Sequence, residues 1–304
     1  MYEVIDYEKS KSNAIVNSIY CRNNATGELK ISYLDIGQAD SIFIILPNDE
    51  TILIDAGEQV SSEDVIQYIK GSGKTTLDYV IATHPHADHI GGMAEVLKAF
   101  NVKNVYMPNK THTSKTFENL IDTIDEKGLA INVAKAGKTI FDYGNVKAEF
   151  IAPNEESYSD LNNYSAVVLL TYNDRHFLFM GDVEQESETE IMTAGYDFTA
   201  DVLKVGHHGS ETSSSETFIK KMRPKYAVIS CGEGNSYGQP HADTLATLNN
   251  FHVEIYRTDT DGTIVAKCDG ENISLDRLNA DMQPRAPTTA PTVTQNVTNK
   301  NGVT

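Results

Sequence analysis

Between positions 84 and 89 the chain reads His84-Pro85-His86-Ala87-Asp88-His89, three imidazoles and a carboxylate within six residues. A solitary histidine is usually a packed or solvated side chain, but four metal-competent groups at this spacing point to a metal centre. Imidazole and carboxylate suit zinc, manganese and iron. His84 and His86 can face one ion while Asp88 and His89 face a second. The run Leu77 to Thr83 is a continuous apolar strand leading straight into His84, and Gly91-Gly92 behind it lets backbone approach closely. The cluster therefore sits where a buried strand gives way to a helix, a usual place for chemistry.

The elements that must position this cluster can be read around it. Leu29 to Asp35 is the first clear strand. Ser41–Leu46 and Thr51–Gly57 form a hairpin about Pro47-Asn48-Asp49, and its second arm ends at Asp55. A second hairpin, Ala166–Tyr172 and Phe177–Met180, turns at Asn173-Asp174 and ends at Asp182. The two share one plan of strand, Asn-Asp turn, strand, small residue and Asp, which suggests two related halves. Helical spacing covers Ser61 to Ile69 with Ser62 as cap, the segment from Gly92, Ser114 to Lys127, Ser214 to Met222 and Ala242 to Asn249. Further strands are read at Asn104–Met107, Ala200–Val205, Tyr226–Ser230 and from Val253 to Leu275. Strand pairs flanked by helices predict an α/β protein, a four-layer αββα sandwich with the site where strand ends meet. The folded domain is placed at 29–278, after an N-terminal extension (1–28) and before a Thr/Pro-rich tail (279–304).

Composition narrows the class. With 25 Lys and Arg against 43 Asp and Glu the formal charge is −18, which disfavours unspecific nucleic-acid binding. The short basic run Lys220, Lys221, Arg223 and Lys225 reads as a solvated helix face. No stretch approaches the roughly 18 apolar residues of a membrane span. Cys21, Cys231 and Cys268 are too scattered for a disulfide framework or a zinc knot, though one disulfide is compatible with the count. Met1 to Lys11 has no apolar core of a signal peptide. The tail, rich in Pro, Thr and Asn, reads as a linker to a further domain or the cell wall, and favours an extracellular or cell-surface location over the cytoplasm.

The string HPHADH is similar to the HxHxDH signature of the metallo-β-lactamase superfamily. ILIDAG with Asp55 resembles its first motif, FLFMGD with Asp182 its bridging carboxylate, and VGHHGS (205–210) its last ligand. Within the superfamily the chain most resembles the soluble hydrolase domain of ComEC-type competence (DNA-uptake) proteins, through YLDIGQADSIFI, DYVIATHPHADHIGG, NNYSAVVLL, ADVLKVGHHGSETSSSETF and VISCGEGNSYGQPHADTLATL, from about residue 31 to 265. Some soluble members of this branch resemble secreted phosphorylcholine esterases. The resemblance implies two divalent metal ions, zinc or manganese, sharing a hydroxide that attacks a phosphodiester such as DNA or a phosphorylcholine-like group. The implied ligands are His84, His86, Asp88, His89, Asp182 and one of His207 and His208. Two departures stand out. Asn162 replaces the third histidine of many superfamily hydrolases, as in the ComEC-like branch, leaving His84, His86 and Asp182 at the first metal with open positions and making β-lactam hydrolysis unlike this chain. Gln239 stands where this branch has a histidine before proline, with His241 two residues later.

Two such ions lower the pKa of a bound water and clamp growing phosphoryl charge, so no Ser or Cys nucleophile is required. Neighbouring side chains at a strand end diverge, which favours His208 as the ligand and leaves His207 near substrate or structural. Asp88, His207 and His241 are the candidate catalytic groups, His241 and Tyr237 as proton donors or phosphate contacts. For Tyr237 a structured turn is the plain alternative. Asp55 is assigned to fixing the tautomer of a ligand histidine, against a simple strand-end cap. Ser210 and the run Ser213 to Ser215 are candidate phosphate donors at a helix start, where serines are also ordinary caps. His112, His176 and His252 have no companions. The leading reading is a binuclear phosphodiesterase or nuclease. Its rivals are another ester hydrolase and a non-catalytic metal-binding scaffold, against which the intact ligand set speaks.

Overall fold

The computed structural model describes residues 27–278; most of the N-terminal extension, the Thr/Pro-rich tail and Cys21 lie outside them. The first half supplies β1 (Leu29–Tyr33), β2 (Ile42–Ile45), β3 (Thr51–Ile54), α1 (Ser62–Gly71), β4 (Thr76–Ile81), α2 (Ala87–Ile90), α3 (Met93–Ala99), β5 (Asn101–Pro108), α4 (Lys115–Glu126) and β6 (Ile131–Ala134). The second half supplies β7 (Thr139–Asp142), β8 (Val146–Phe150), β9 (Val168–Tyr172), β10 (Arg175–Phe179), α5 (Gln185–Thr193), β11 (Val202–Lys204), α6 (Glu216–Met222), β12 (Tyr226–Ile229), α7 (Ala242–Asn250) and β13 (Glu254–Arg257). After α8 (Thr258–Asp261) the chain crosses back, and β14 (Thr263–Cys268) and β15 (Ile273–Leu278) join the first sheet beside β1.

The first sheet has eight strands in the order β15-β14-β1-β2-β3-β4-β5-β6, the second seven in the order β13-β12-β11-β10-β9-β8-β7. Side chains alternate across each pleat. Ile31, Tyr33, Ile42, Ile44 and Ile52 thus meet Phe150, Val168, Leu170, Phe177 and Phe179 in one core between the sheets. The opposite faces are equally apolar. Phe43, Leu53 and Val80 pack under α1, α3 and α4 through Val65, Ile69, Leu97 and Leu120, while Leu169, Leu178 and Leu203 pack under α5, α6 and α7 through Ile191, Phe218, Ile219 and Leu248. Three cores between four layers make the expected αββα sandwich. Burial on both faces is why these strands read as unbroken apolar runs. Among the described residues no helix is long and apolar enough to cross a membrane.

The two halves do follow one plan. β2 and β3 pair antiparallel and β4 joins parallel; β9 and β10 pair antiparallel and β11 joins parallel. Asp49 and Asn173 take the left-handed conformation the hairpin turns need. Sequence reading missed α5 altogether. Its segment QESETEIMT has little apolar periodicity, and what holds it is Ile191 together with the buried polar residues Ser187 and Glu188. At α1 the cap position is Ser61, not Ser62, and its hydroxyl donates to the Ile36 carbonyl rather than capping the helix.

Candidate metal centre

Each histidine cluster leaves the strand that lies parallel beside a hairpin: His84 to His89 follow β4, and His207 and His208 follow β11. The hairpin arms next to them end at Asp55 and, beyond Gly181, at Asp182. A Cβ on Gly91 would strike the backbone of Ala87 and Gln59, and one on Gly92 the Ala56 carbonyl. The loop after Asp55 therefore lies directly on the start of α3. Strain collects at this junction: Asp55, His207 and His208 all have positive φ, a conformation that costs of order 1 kcal/mol or more and is kept where the surroundings fix it.

Asp55 is 1% exposed and spends its carboxylate locally. Oδ1 accepts from the Thr83 amide at 2.8 Å, and Oδ2 accepts from the Thr83 hydroxyl at 2.6 Å and faces His89 Nδ1 at 2.7 Å. That last contact fixes the His89 proton on Nδ1 and turns Nε2 inward. There Nε2 lies 3.2 Å from Asp182 Oδ2 and 3.7 Å from Asp88 Oδ2. His208 is oriented in the same way. Its Nδ1 donates to the Ser230 carbonyl at 2.9 Å, leaving Nε2 at 3.3 Å from Asp88 Oδ2 and 3.5 Å from Asp182 Oδ2.

Asp88, His89, Asp182 and His208 thus each offer one ligand atom, all within 4.8 Å of one another. The other set is less compact. His84 Nε2 faces His86 Nδ1 at 2.9 Å and is 3.9 Å from Asp182 Oδ2. Asp182 Oδ2 is the common neighbour of both sets, with His207 Nε2 at 4.0 Å as well. The fit to cations is carried by atoms that protein groups leave unsatisfied: His89 Nε2 and Asp182 Oδ1 are buried with no hydrogen-bond partner, an arrangement that costs stability unless something completes it. Asn162 Oδ1 is buried and unpaired too, and Asn162 lines the same cleft.

Charge follows the geometry. Burial would hold the His89 imidazole neutral, but Asp182, Asp88 and Asp55 outweigh it and push its pKa well above the ordinary range. His84 goes the other way, far down, through burial and then the charge on His89. Asp182 lies well below the usual carboxylate range, because His89, His208 and His84 outweigh its burial. Burial also raises Asp55, in spite of its hydrogen bonds.

Over this centre lies a cleft of about 330 Å³. His86, Asp88, Asp182, His207 and His208 line it together with Gln38, Asn162, Tyr237 and Gln239. His207 is partly exposed, with Nδ1 3.2 Å from the Thr212 hydroxyl and 3.7 Å from Glu184. Three candidates from the sequence lie elsewhere. His241 accepts the Glu211 amide on Nδ1 and meets the Tyr237 carbonyl at Nε2, both at 3.0 Å, so its ring ties two backbone segments outside the cleft lining. The Ser210 hydroxyl pairs with Thr212. In the serine run the amides of Ser214 and Ser215 donate to the buried Glu188 carboxylate and the Ser215 hydroxyl caps α6, and Ser213, Ser214 and Ser215 line a separate cavity away from the metal centre. His112 accepts from the Ser114 amide at the start of α4. Cys231 and Cys268 are free, buried thiols, and burial pushes Cys231 to about 12.

Sequence reading also missed a charged pair under the centre. Lys204 and Asp40, 0% and 1% exposed, meet at 2.8 Å, and Asp40 Oδ1 lies 3.5 Å from His208 Nδ1. The signal was present: a lysine in the middle of the apolar run Val202–Val205, and an aspartate just before the Ser41–Leu46 run. A charge inside a doubly covered strand is rarely left without a partner.

Comparison with known proteins agrees with this geometry. The Metallo-beta-lactamase superfamily model matches residues 34–233. ComE operon protein 3 of Bacillus subtilis is 32% identical over 256 residues, 79% of this chain and 33% of that protein. Recombination protein 2 of Haemophilus influenzae is 26% identical over 241 residues, 77% of this chain and 28% of its own. The chain thus spans about a third or less of the length of these curated relatives. A solved metallo hydrolase from the hyperthermophilic archaeon Ignicoccus hospitalis shares the fold at a TM-score of 0.50 and 16% identity, over 78% of this chain and 98% of that one. The matched model and the converging His and Asp side chains agree: this chain belongs to the metallo-beta-lactamase superfamily.

Proposed function

We propose that the chain is a metal-dependent phosphodiesterase acting on DNA or a related diester, with a water as its nucleophile. The observation that carries this reading is the lining of the cleft. It holds imidazoles, carboxylates, amides and one phenol, and among the described residues no Ser, Thr, Cys or Lys lines it to attack a substrate. Two divalent cations, zinc or manganese, would be held by His84, His86 and Asp182 on one side and Asp88, His89, Asp182 and His208 on the other. Bound there, they would supply Lewis acidity and a water of lowered pKa. The protein does the rest. Asp55 holds His89 in one tautomer, the Ser230 carbonyl does the same for His208, and His207, on the cleft wall beside Glu184, is placed to exchange a proton with the leaving group. The name of one relative, Recombination protein 2, favours DNA as the diester. With the tail as tether, the proposed place of action is the cell surface or outside it.

Tyr237, 68% exposed at the cleft, suits both DNA and a second substrate, a phosphorylcholine-type ester. An open aromatic face stacks on a nucleobase, and it equally holds a quaternary ammonium such as choline. The test is hydrolysis of bis(p-nitrophenyl) phosphate by chelator-stripped protein with zinc or manganese restored, beside His86→Ala. Metal-dependent turnover that the substitution abolishes is the expected result; no turnover with either metal refutes the diesterase reading. Competition by a single-stranded oligonucleotide but not by phosphorylcholine selects DNA, and the reverse selects the choline ester.

A further inference from the structure

On the cleft wall a short chain of amides has a fixed direction. The Gly232 N–H, which can only donate, bonds to Gln38 Oε1 at 2.9 Å. Gln38 must therefore present Nε2 at its other end, and it donates to Gln239 Oε1 at 2.7 Å. This leaves Gln239 with Nε2 outward. Side-chain amides are otherwise ambiguous in orientation, but a backbone donor at one end settles every link after it. Gln239 is 8% exposed and lines the cleft beside Asp88, Asp182 and His208. Its Nε2 makes no hydrogen bond among the described residues, although the side-chain oxygen and both backbone groups of the same residue do.

The loops that carry the two glutamines are locked together. Asn235 accepts from the Gln239 amide at 3.1 Å and donates to the carbonyls of Gln239 and Gly232. A Cβ on Gly232 would come within 2.7 Å of the Gln38 nitrogen, so the two segments touch backbone to backbone. The residue is nearly buried while its free N–H donors open on the cleft, where they can meet an acceptor. Two N–H groups with no charge suit an anionic oxygen and do not suit an ammonium. They also keep their protons at any pH, as an imidazole at this position would not.

We infer that Gln239, aimed by Gln38, is the substrate-binding donor of the cleft, holding a non-bridging phosphoryl oxygen. This rests on the phosphodiester reading above for its substrate, and it assigns recognition to the phosphoryl group rather than to what is esterified to it. The measurement is binding of inorganic phosphate to zinc-loaded protein by titration calorimetry, for the unmodified chain, Gln239→Leu, Gln38→Leu and the double variant. Gln38→Met stands in if Gln38→Leu does not fold, and zinc content and melting temperature report integrity. Gln239→Leu should weaken phosphate by about 10- to 100-fold, the value of one hydrogen bond to a charged group. Gln38→Leu should weaken it severalfold by freeing the amide to flip, and the double variant should be no worse than Gln239→Leu alone. Phosphate binding unchanged in Gln239→Leu overturns the donor. Unchanged binding in Gln38→Leu, or additive losses, overturns the relay. If phosphate behaves as expected while no diester is hydrolysed, the diesterase reading fails and the binding site stands. Diester turnover with Gln239→Leu unaffected has the opposite meaning.

Discussion

Lys204→Met should be among the most damaging single changes available outside the metal ligands. The ammonium lies 2.8 Å from Asp40 Oδ2 with both side chains shut off from solvent, and it also donates to the Val205 carbonyl at 3.0 Å. At that separation and an effective dielectric of about 20 the attraction is roughly 6 kcal/mol, most of which the cost of taking two charges out of water offsets. Removing one partner loses the attraction and keeps the other charge buried, so the expected loss is about 3–5 kcal/mol. Against a typical stability of about 5–15 kcal/mol this leaves a marginal fold. The double variant Lys204→Met, Asp40→Asn buries no charge and should recover most of the loss. Urea unfolding of chelator-stripped protein, followed by far-ultraviolet circular dichroism because the chain has no tryptophan, measures both. A loss below about 1 kcal/mol in the single variant, or a double variant no more stable than the single, would refute the reasoning, since either means that the buried carboxylate does not need its partner.

Other expectations concern the metal centre itself. Asp55→Asn keeps the shape but takes away the carboxylate that faces His89 Nδ1, and should weaken metal affinity by about 10- to 100-fold in chelator competition. His208→Ala should lower the metal content from two ions towards one, whereas His207→Ala should keep both and lose turnover; elemental analysis beside activity separates them. Three carboxylates hold His89 charged above the ordinary histidine range, and a ligand must be neutral, so binding must displace that proton. Affinity should therefore rise with pH across neutrality. Calorimetry in buffers of different ionisation enthalpy should show at least one proton released per protein at pH 7, and a value near zero would contradict the charge assigned to His89.

The amino-acid sequence by itself determined the layers, the two related halves and most of the candidate ligand set. Strands covered on both faces are forced into unbroken apolar runs, and His84, His86, Asp88 and His89 lie so close in the chain that local geometry alone brings them together. Asp55 and Asp182 were legible because each ends a hairpin arm. The helix Gln185–Thr193 was not, since its register depends on Glu188 meeting the amides of Ser214 and Ser215 about 26 residues away. Only the tertiary structure decided what depends on contacts between distant segments. It buries His208 against the Ser230 carbonyl and leaves His207 half open, draws His241 out of the cleft as a tie between two backbone segments, and pairs Lys204 with Asp40. It also sets Gln239 against Gln38, 201 positions away, in the place where the branch this chain resembles has a histidine. Spacing along a chain fixes which groups can share a loop. Which way an imidazole or an amide points is fixed by the partner at its other end, and those partners come from elsewhere in the fold.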